Sequence, residues 1–170
     1  VKAVLYSINR PHTDNIKSGL KLWEIRKSKP NIPVPFPAFI YETKRSGGCG
    51  KVIGEFICNE IRQYSSDGIK YYTKIAEASC VSKCDLLRYK GKNEYLYGLH
   101  ISNLKIYDKP KELSEFNGYC KYQGMTKECL REDGEFCNYS YEYITVVHHI
   151  KCEKVLTRPP QSMCYVEVEN

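Results

Sequence analysis

The sequence predicts a mainly β domain with peripheral helices (α+β), a small barrel or strongly bent sheet. Three observations carry this. Short stretches such as "KAVLYSI" and "MCYVEV" have strand length and strand alternation, glycine and proline punctuation recurs between them, and few segments carry helix start and stop signals. At 170 residues the chain is long enough for one core and too short for two comfortable domains. A single domain spanning 1–170 is therefore expected, with an excursion at about 116–143.

The elements follow in order. "KAVLYSI" reads as a strand with Ala3, Leu5 and Ser7 on one face and Val4, Tyr6 and Ile8 on the other. Pro11 near a helix start and Gly19 at a stop place a short helix between Pro11 and Ser18. In "LWEIR", Trp23 and Ile25 share one face, while Leu22, Glu24 and Arg26 share the other. "KPNIPVPFP", with four prolines in nine residues, reads as an extended connector. "AFIYETK" and "GKVIGEFIC" form a hairpin around "RSGGCG". A polar, tyrosine-bearing stretch leads to Ser82, which caps a helix "KCDLLRYK" with Asp85 three residues on and Gly91 past its end. "EYLYGLHISNLKIYD" is another strand, closed by Pro110. Residues 116–143 are poor in aliphatic side chains and rich in Gly, Cys, Glu and Tyr, and "ITVVHHIKCEKVL" and "MCYVEV" supply late strands.

Composition narrows the function classes. No apolar run approaches the roughly 20 residues that cross a bilayer, so no membrane role is expected. The start lacks the apolar core and cleavage site of a secretory leader, which points to the cytoplasm. A formal charge of +6 favours a polyanion partner without reaching the density of arm-type binders, and 15 tyrosines add stacking faces. Nine cysteines, an odd number, argue against a complete disulfide framework.

Several side chains could carry chemistry. In "GLKLWEIR" a lysine precedes a strand that presents a carboxylate and a guanidinium two apart on one face. Guanidinium and ammonium suit phosphate, guanidinium also suits a base edge, and carboxylate suits an exocyclic amine. On spacing alone, a wet surface pair of Glu24 and Arg26 explains the pattern as well. His100, on the alternating strand beside Tyr97, either donates into the same cleft or is a hydrogen-bonded strand histidine. Gln161 and Ser162 follow a stiff Pro-Pro pair, which suits base reading or a turn that seats the last strand. Cys120, Cys129, Cys137 and Cys152 run as C-x8-C-x7-C-x14-C, with His148 and His149 before the last, and could hold a structural zinc or remain free thiols. "CVSKC", Cys80 to Cys84, has a poor redox spacing.

"GLKLWEIRK" resembles the G-x-K-x-x-E-x-R signature of ASCH domains, a branch of the PUA-like barrels. "LYSINRPHTDNI" before it, "PFPAFIYETK" and "GKVIGEF" after it, and "YGLHISNLKIYDKPKELSEF" fit the same pattern. The close "LTRPPQSMCYVE" resembles a Pro-Pro-Gln-Ser ending found in a bacterial and phage subset. The resemblance implies a PUA-like β-barrel whose motif residues, here Gly19, Lys21, Glu24 and Arg26, line a cleft for RNA or a modified nucleoside. Some small ASCH proteins are amidohydrolases acting on N4-acetylcytidine with a lysine, a threonine and a downstream glutamate. Lys21 matches the lysine, but Glu24 stands at the threonine and Ser79 falls near the glutamate, with Glu77 close by.

The expectation is thus a binding module, with Lys21 on phosphate, Arg26 on a base edge and Glu24 on an exocyclic amine or orienting Arg26. His100, Gln161 and Ser162 are further members. No cofactor is required beyond a possible structural zinc. One alternative is an amidohydrolase of N4-acetylcytidine-like nucleosides using Lys21 and Glu24. Another is a protein-interaction domain built on the cysteine-rich excursion.

Overall fold

The computed structural model describes residues 1–71, 73–119 and 155–168. Strand β1 (Lys2–Ile8) is followed by helix α1 (Arg10–Lys17), β2 (Trp23–Arg26), β3 (Phe36–Glu42) and β4 (Lys51–Tyr64). Helices α2 (Ser66–Tyr71), α3 (Thr73–Ser79) and α4 (Lys83–Lys90) come next, then β5 (Leu96–Lys111), β6 (Asn117–Gly118) and β7 (Met163–Glu167). The strands form one sheet in the order β2-β5-β4-β3-β1-β7-β6.

Strand β1 is the hub, and it is buried on both faces. Val4, Tyr6 and Ile8 enter an inner core with Phe36, Ile40, Phe56, Leu99 and Ile101. Ala3 and Leu5 enter a second core on the opposite face with Phe39, Phe116 and Val166. Its neighbours are β3, in parallel, and β7, in antiparallel register. A parallel pair needs a crossover, and residues 9–35, containing α1 and β2, provide it. Helix α1 lays Ile16 into the inner core.

Glu42, at the end of β3, ties α1 down. Its carboxylate accepts hydrogen bonds from Lys17 Nζ at 2.7 Å, Thr13 Oγ1 at 2.7 Å and the Cys49 amide at 2.8 Å. Burial alone would raise its pKa, but these donors outweigh burial and hold it at about 2.

Strands β4 and β5 are long and carry register shifts, which bend and coil a sheet. The bend brings β2, at one end of the strand order, back towards β1, so that Arg26 of β2 donates to the Ser7 carbonyl of β1 at 2.9 Å. The outer face of β2 carries Trp23 and Ile25 against Ile69, Ile75 and Leu86 of the three middle helices.

Several sequence expectations shift. The polar, tyrosine-bearing stretch, to which the sequence assigned no element, ends β4 and then folds as α2 and α3. Strand β5 continues through Pro110, because β2 pairs only with Tyr97–His100 and leaves the rest of β5 an edge, where a missing N–H is tolerated. Residues 116–119, the start of the expected excursion, pack with β7. Phe116 is buried, and Asn117 and Gly118 pair with β7. The remainder of the excursion, and residues 144–154 of the strand expected over 144–156, lie outside the described residues, while Val155 bridges to Asn117.

Candidate functional site

The signature stretch is shaped by its glycine. Gly19 sits at φ +75, a left-handed conformation that costs a side-chain-bearing residue strain, and it closes α1 through its amide to the Ile16 carbonyl. The following loop is pinned on two sides. The Lys21 amide donates to the Asn15 carbonyl and the Leu22 amide to the Ala78 carbonyl, at 2.9 and 2.8 Å. Lys21 is thereby aimed inward, and its Nζ donates to the Ser79 carbonyl at 2.6 Å, at the C-terminal end of α3 where carbonyls lack helical partners.

Glu24 and Arg26, on the inner face of β2, complete a buried ion triad. Glu24 lies 3.4 Å from Lys21 Nζ through Oε2 and 3.0 Å from Arg26 Nη2 through Oε1. The side chains are 1%, 7% and 9% exposed for Lys21, Glu24 and Arg26, so the wet surface pair is ruled out by burial. Burial pushes the Glu24 carboxyl up, but Lys21, then Arg26 and His12, outweigh it and hold the group below the usual carboxylate range. Two cations and one carboxylate leave the cluster at a net charge of +1.

Arg26 is the most connected member. Besides Glu24 and Ser7, its Nη1 reaches Ser162 Oγ at 3.3 Å, and its guanidinium lies 5.1 Å from the centre of the Tyr6 ring. Ser162 is held by the Ser7 amide donating to its carbonyl at 3.0 Å, while Ser7 Oγ donates to the Pro160 carbonyl at 2.7 Å. The Pro-Pro-Gln-Ser segment therefore both seats the last strand and touches the cluster.

Three neighbours went unread in the sequence. His12, half-buried on α1, feels Lys21, Glu24 and Arg26, and burial followed by the Lys21 charge pushes its pKa down. Its spacing of four from the buried Ile16 was the available signal. Tyr6 lies fully buried beneath Arg26. Tyr89, 40% exposed, lies within electrostatic reach of Arg26 and Glu24 and carries Lys27 Nζ over its ring at 4.8 Å.

Two expected members are placed elsewhere. His100 pairs with Trp23 across β2 and β5, and paired residues share a face, so its ring packs on the tryptophan at 4.8 Å, away from Glu24 and Arg26. Its Nδ1 is 2.6 Å from Asn59 Oδ1. Gln161 is exposed and lines a surface depression with Arg158, Cys164 and Tyr165. Cys120, Cys129, Cys137 and Cys152 lie outside the described residues. Among the described residues no set of three or more His, Cys, Asp or Glu side chains could hold a metal, and Cys49, Cys58, Cys80, Cys84 and Cys164 are free thiols.

The fold is shared with solved ASCH proteins. The ASCH protein of Zymomonas mobilis superposes with a TM-score of 0.56 at 19% identity, covering 65% of this chain and 73% of its own. A point variant of it superposes with the same TM-score at 18% identity, over 65% of this chain and 76% of its own. At this identity the likeness establishes the shared fold alone, mainly β with peripheral helices. No protein-family model matches the chain, and the comparison with curated proteins finds no relative.

Proposed function

We propose that this chain is an ASCH-type binding module that takes RNA or a modified nucleoside at the Lys21, Glu24 and Arg26 cluster. One observation carries the reading: a triad of ions with net positive charge, 9% exposed or less, joined to the exposed Ser162 and within electrostatic reach of the part-exposed Tyr89. Burying three charges is costly, and replacing them with packed apolar residues is often neutral or stabilising, so fold stability alone is a weak reason to keep them. A ligand that needs oriented donors is a better one.

The geometry revises the division of labour. Lys21 is enclosed and already donates to Ser79 and Glu24, so phosphate contacts pass to the exposed cation over Tyr89, Lys27. Glu24 holds Arg26, and Lys21 holds Glu24. The hydrolase alternative gains no support: Ser79 offers the cluster a carbonyl where a carboxylate is wanted, and a carboxylate held below its usual range is a weak general base. The interaction-domain alternative rests on the excursion, of which residues 120–143 lie outside those described.

The test is binding of labelled single-stranded and hairpin RNA, with DNA as control, at two salt concentrations, to the wild type and to Arg26→Lys, which keeps the charge but loses the planar fork. The expected result is an RNA preference that Arg26→Lys abolishes while circular dichroism stays unchanged. Binding by the wild type that is weak, indifferent to RNA or DNA and lost at moderate salt refutes the reading.

A further inference from the structure

Buried polar atoms in folded proteins are nearly always hydrogen-bonded, and each exception calls for a physical reason, such as strain, a catalytic role, or a bound water or ion. Among the described residues three buried side-chain atoms have no partner: Tyr6 Oη, His12 Nδ1 and Arg26 Nε. Two of them are direct neighbours, and the third lies within electrostatic reach. The Tyr6 ring lies against the Arg26 guanidinium, and His12 is coupled to Arg26, Lys21 and Glu24. Tyr6 is wholly buried, and Arg26 is 8% exposed.

The chemistry of these atoms differs from that of the triad beside them. The strong charged donors are already engaged. Arg26 Nη1 and Nη2 serve Ser162, Ser7 and Glu24, and Lys21 Nζ serves Ser79 and Glu24. A phosphate would need those same groups, and would meet the ionised Glu24 carboxylate among them. What is left over is a phenol, one imidazole nitrogen and one guanidinium N–H. Phenol and neutral imidazole can each donate or accept, whereas the guanidinium only donates. Burial, and then the Lys21 charge, push the His12 pKa down, which favours its neutral form.

Resting on the proposed function, we infer that Tyr6 Oη, His12 Nδ1 and Arg26 Nε form a reading point for an uncharged group carrying donors and acceptors side by side, the edge of a nucleobase, and that this point does not take phosphate. The ligand approaches past Ser162 and Tyr89, and its base, rather than its backbone, reaches the cluster.

Tyr6→Phe removes one unpartnered oxygen and nothing else. Its melting temperature is unchanged or raised, since no hydrogen bond in the free protein is lost. Its affinity for single-stranded RNA falls by about 2- to 10-fold, the measure of one neutral hydrogen bond. His12→Phe, which keeps a ring, loses affinity similarly and supplies a second readout. Free nucleosides compete with the RNA, and inorganic phosphate at equal concentration and matched ionic strength does not. Unchanged affinity in both variants, a lowered melting temperature in Tyr6→Phe, or competition by phosphate as effective as that by nucleosides overturns this inference while leaving RNA binding intact. Failure of the wild type to bind any RNA or nucleoside overturns the wider reading instead, and this one with it.

Discussion

Glu24→Gln tests the central claim that the triad is buried and mutually dependent. The carboxylate meets Arg26 at 3.0 Å and Lys21 at 3.4 Å. At the effective dielectric that suits protein sites, each contact supplies roughly 5 kcal/mol of bare attraction, much of it offset by desolvation of the ions. Glutamine keeps the shape but leaves two buried cations uncompensated, and removing one partner of a buried ion pair costs about 3 to 5 kcal/mol. The retained amide oxygen puts the expected loss near the lower bound, about 3 kcal/mol, or roughly 6 to 12 °C in melting temperature for a domain of this size. Urea unfolding followed at Trp23, the only tryptophan, reads it directly. The sign of the pH dependence is fixed too. A carboxyl whose folded pKa is depressed contributes stability above its unfolded pKa and loses it as pH falls through the folded one, so the gap between wild type and variant narrows as pH drops below the ordinary carboxylate range. Added salt leaves the gap nearly unchanged, since buried pairs are poorly screened. A loss below about 1 kcal/mol that vanishes in salt would mean solvated charges and refute the argument.

Other consequences are more local. Thr13→Val removes a 2.7 Å hydrogen bond to the Glu42 carboxylate and should cost about 1.5 to 3 kcal/mol at neutral pH, with NMR titration showing the Glu42 pKa rising from about 2; an unmoved pKa counts against the network. The loss should shrink as pH falls below the ordinary carboxylate range, because Glu42 is another depressed group whose contribution is present only above it. Gly54→Ala would set a Cβ 2.5 Å from the Lys105 carbonyl of the neighbouring strand, so a backbone shift costing about 1 to 3 kcal/mol is expected in chemical denaturation. Ser82→Ala removes the cap whose oxygen accepts from the Asp85 amide at 3.1 Å, and should cost about 1 kcal/mol with faster amide exchange in the first turn of α4.

Local chemistry was legible wherever one residue type does one job. Ser82, Asp85 and Gly91 marked both ends of α4, and strand alternation separated Trp23 and Ile25 from Glu24 and Arg26 correctly. Alternation says which residues share a face, but not which face is inside. The charged face of β2 turned inward only because the sheet curls until Arg26 meets β1, a long-range event with no local trace. Between the two readings of His100 the sequence could not choose for a related reason: its strand was evident, but the register that sets it opposite Trp23 and its hydrogen bond to Asn59 depend on pairing with segments far away in the chain. Helices α2 and α3 are too short for their apolar spacing to stand out from a polar loop. The unpartnered atoms of Tyr6, His12 and Arg26 escape a sequence reading altogether, since satisfaction is a property of neighbours.

The reach of Arg26 from β2 to Ser7 and Ser162 has a dynamic consequence. Between β2 and β1 no backbone ladder runs, so the guanidinium is a clasp across a seam in the sheet. Local opening of that seam and exposure of the buried ions are then one event. A molecule that occupies the closed form lowers the frequency of opening by mass action, and it does so first for the amides of β2 and the residues around Ser162. Slowed hydrogen exchange confined to those two segments, far apart in sequence and joined by a single side chain, is the signature by which occupancy would be recognised even before the occupant is known.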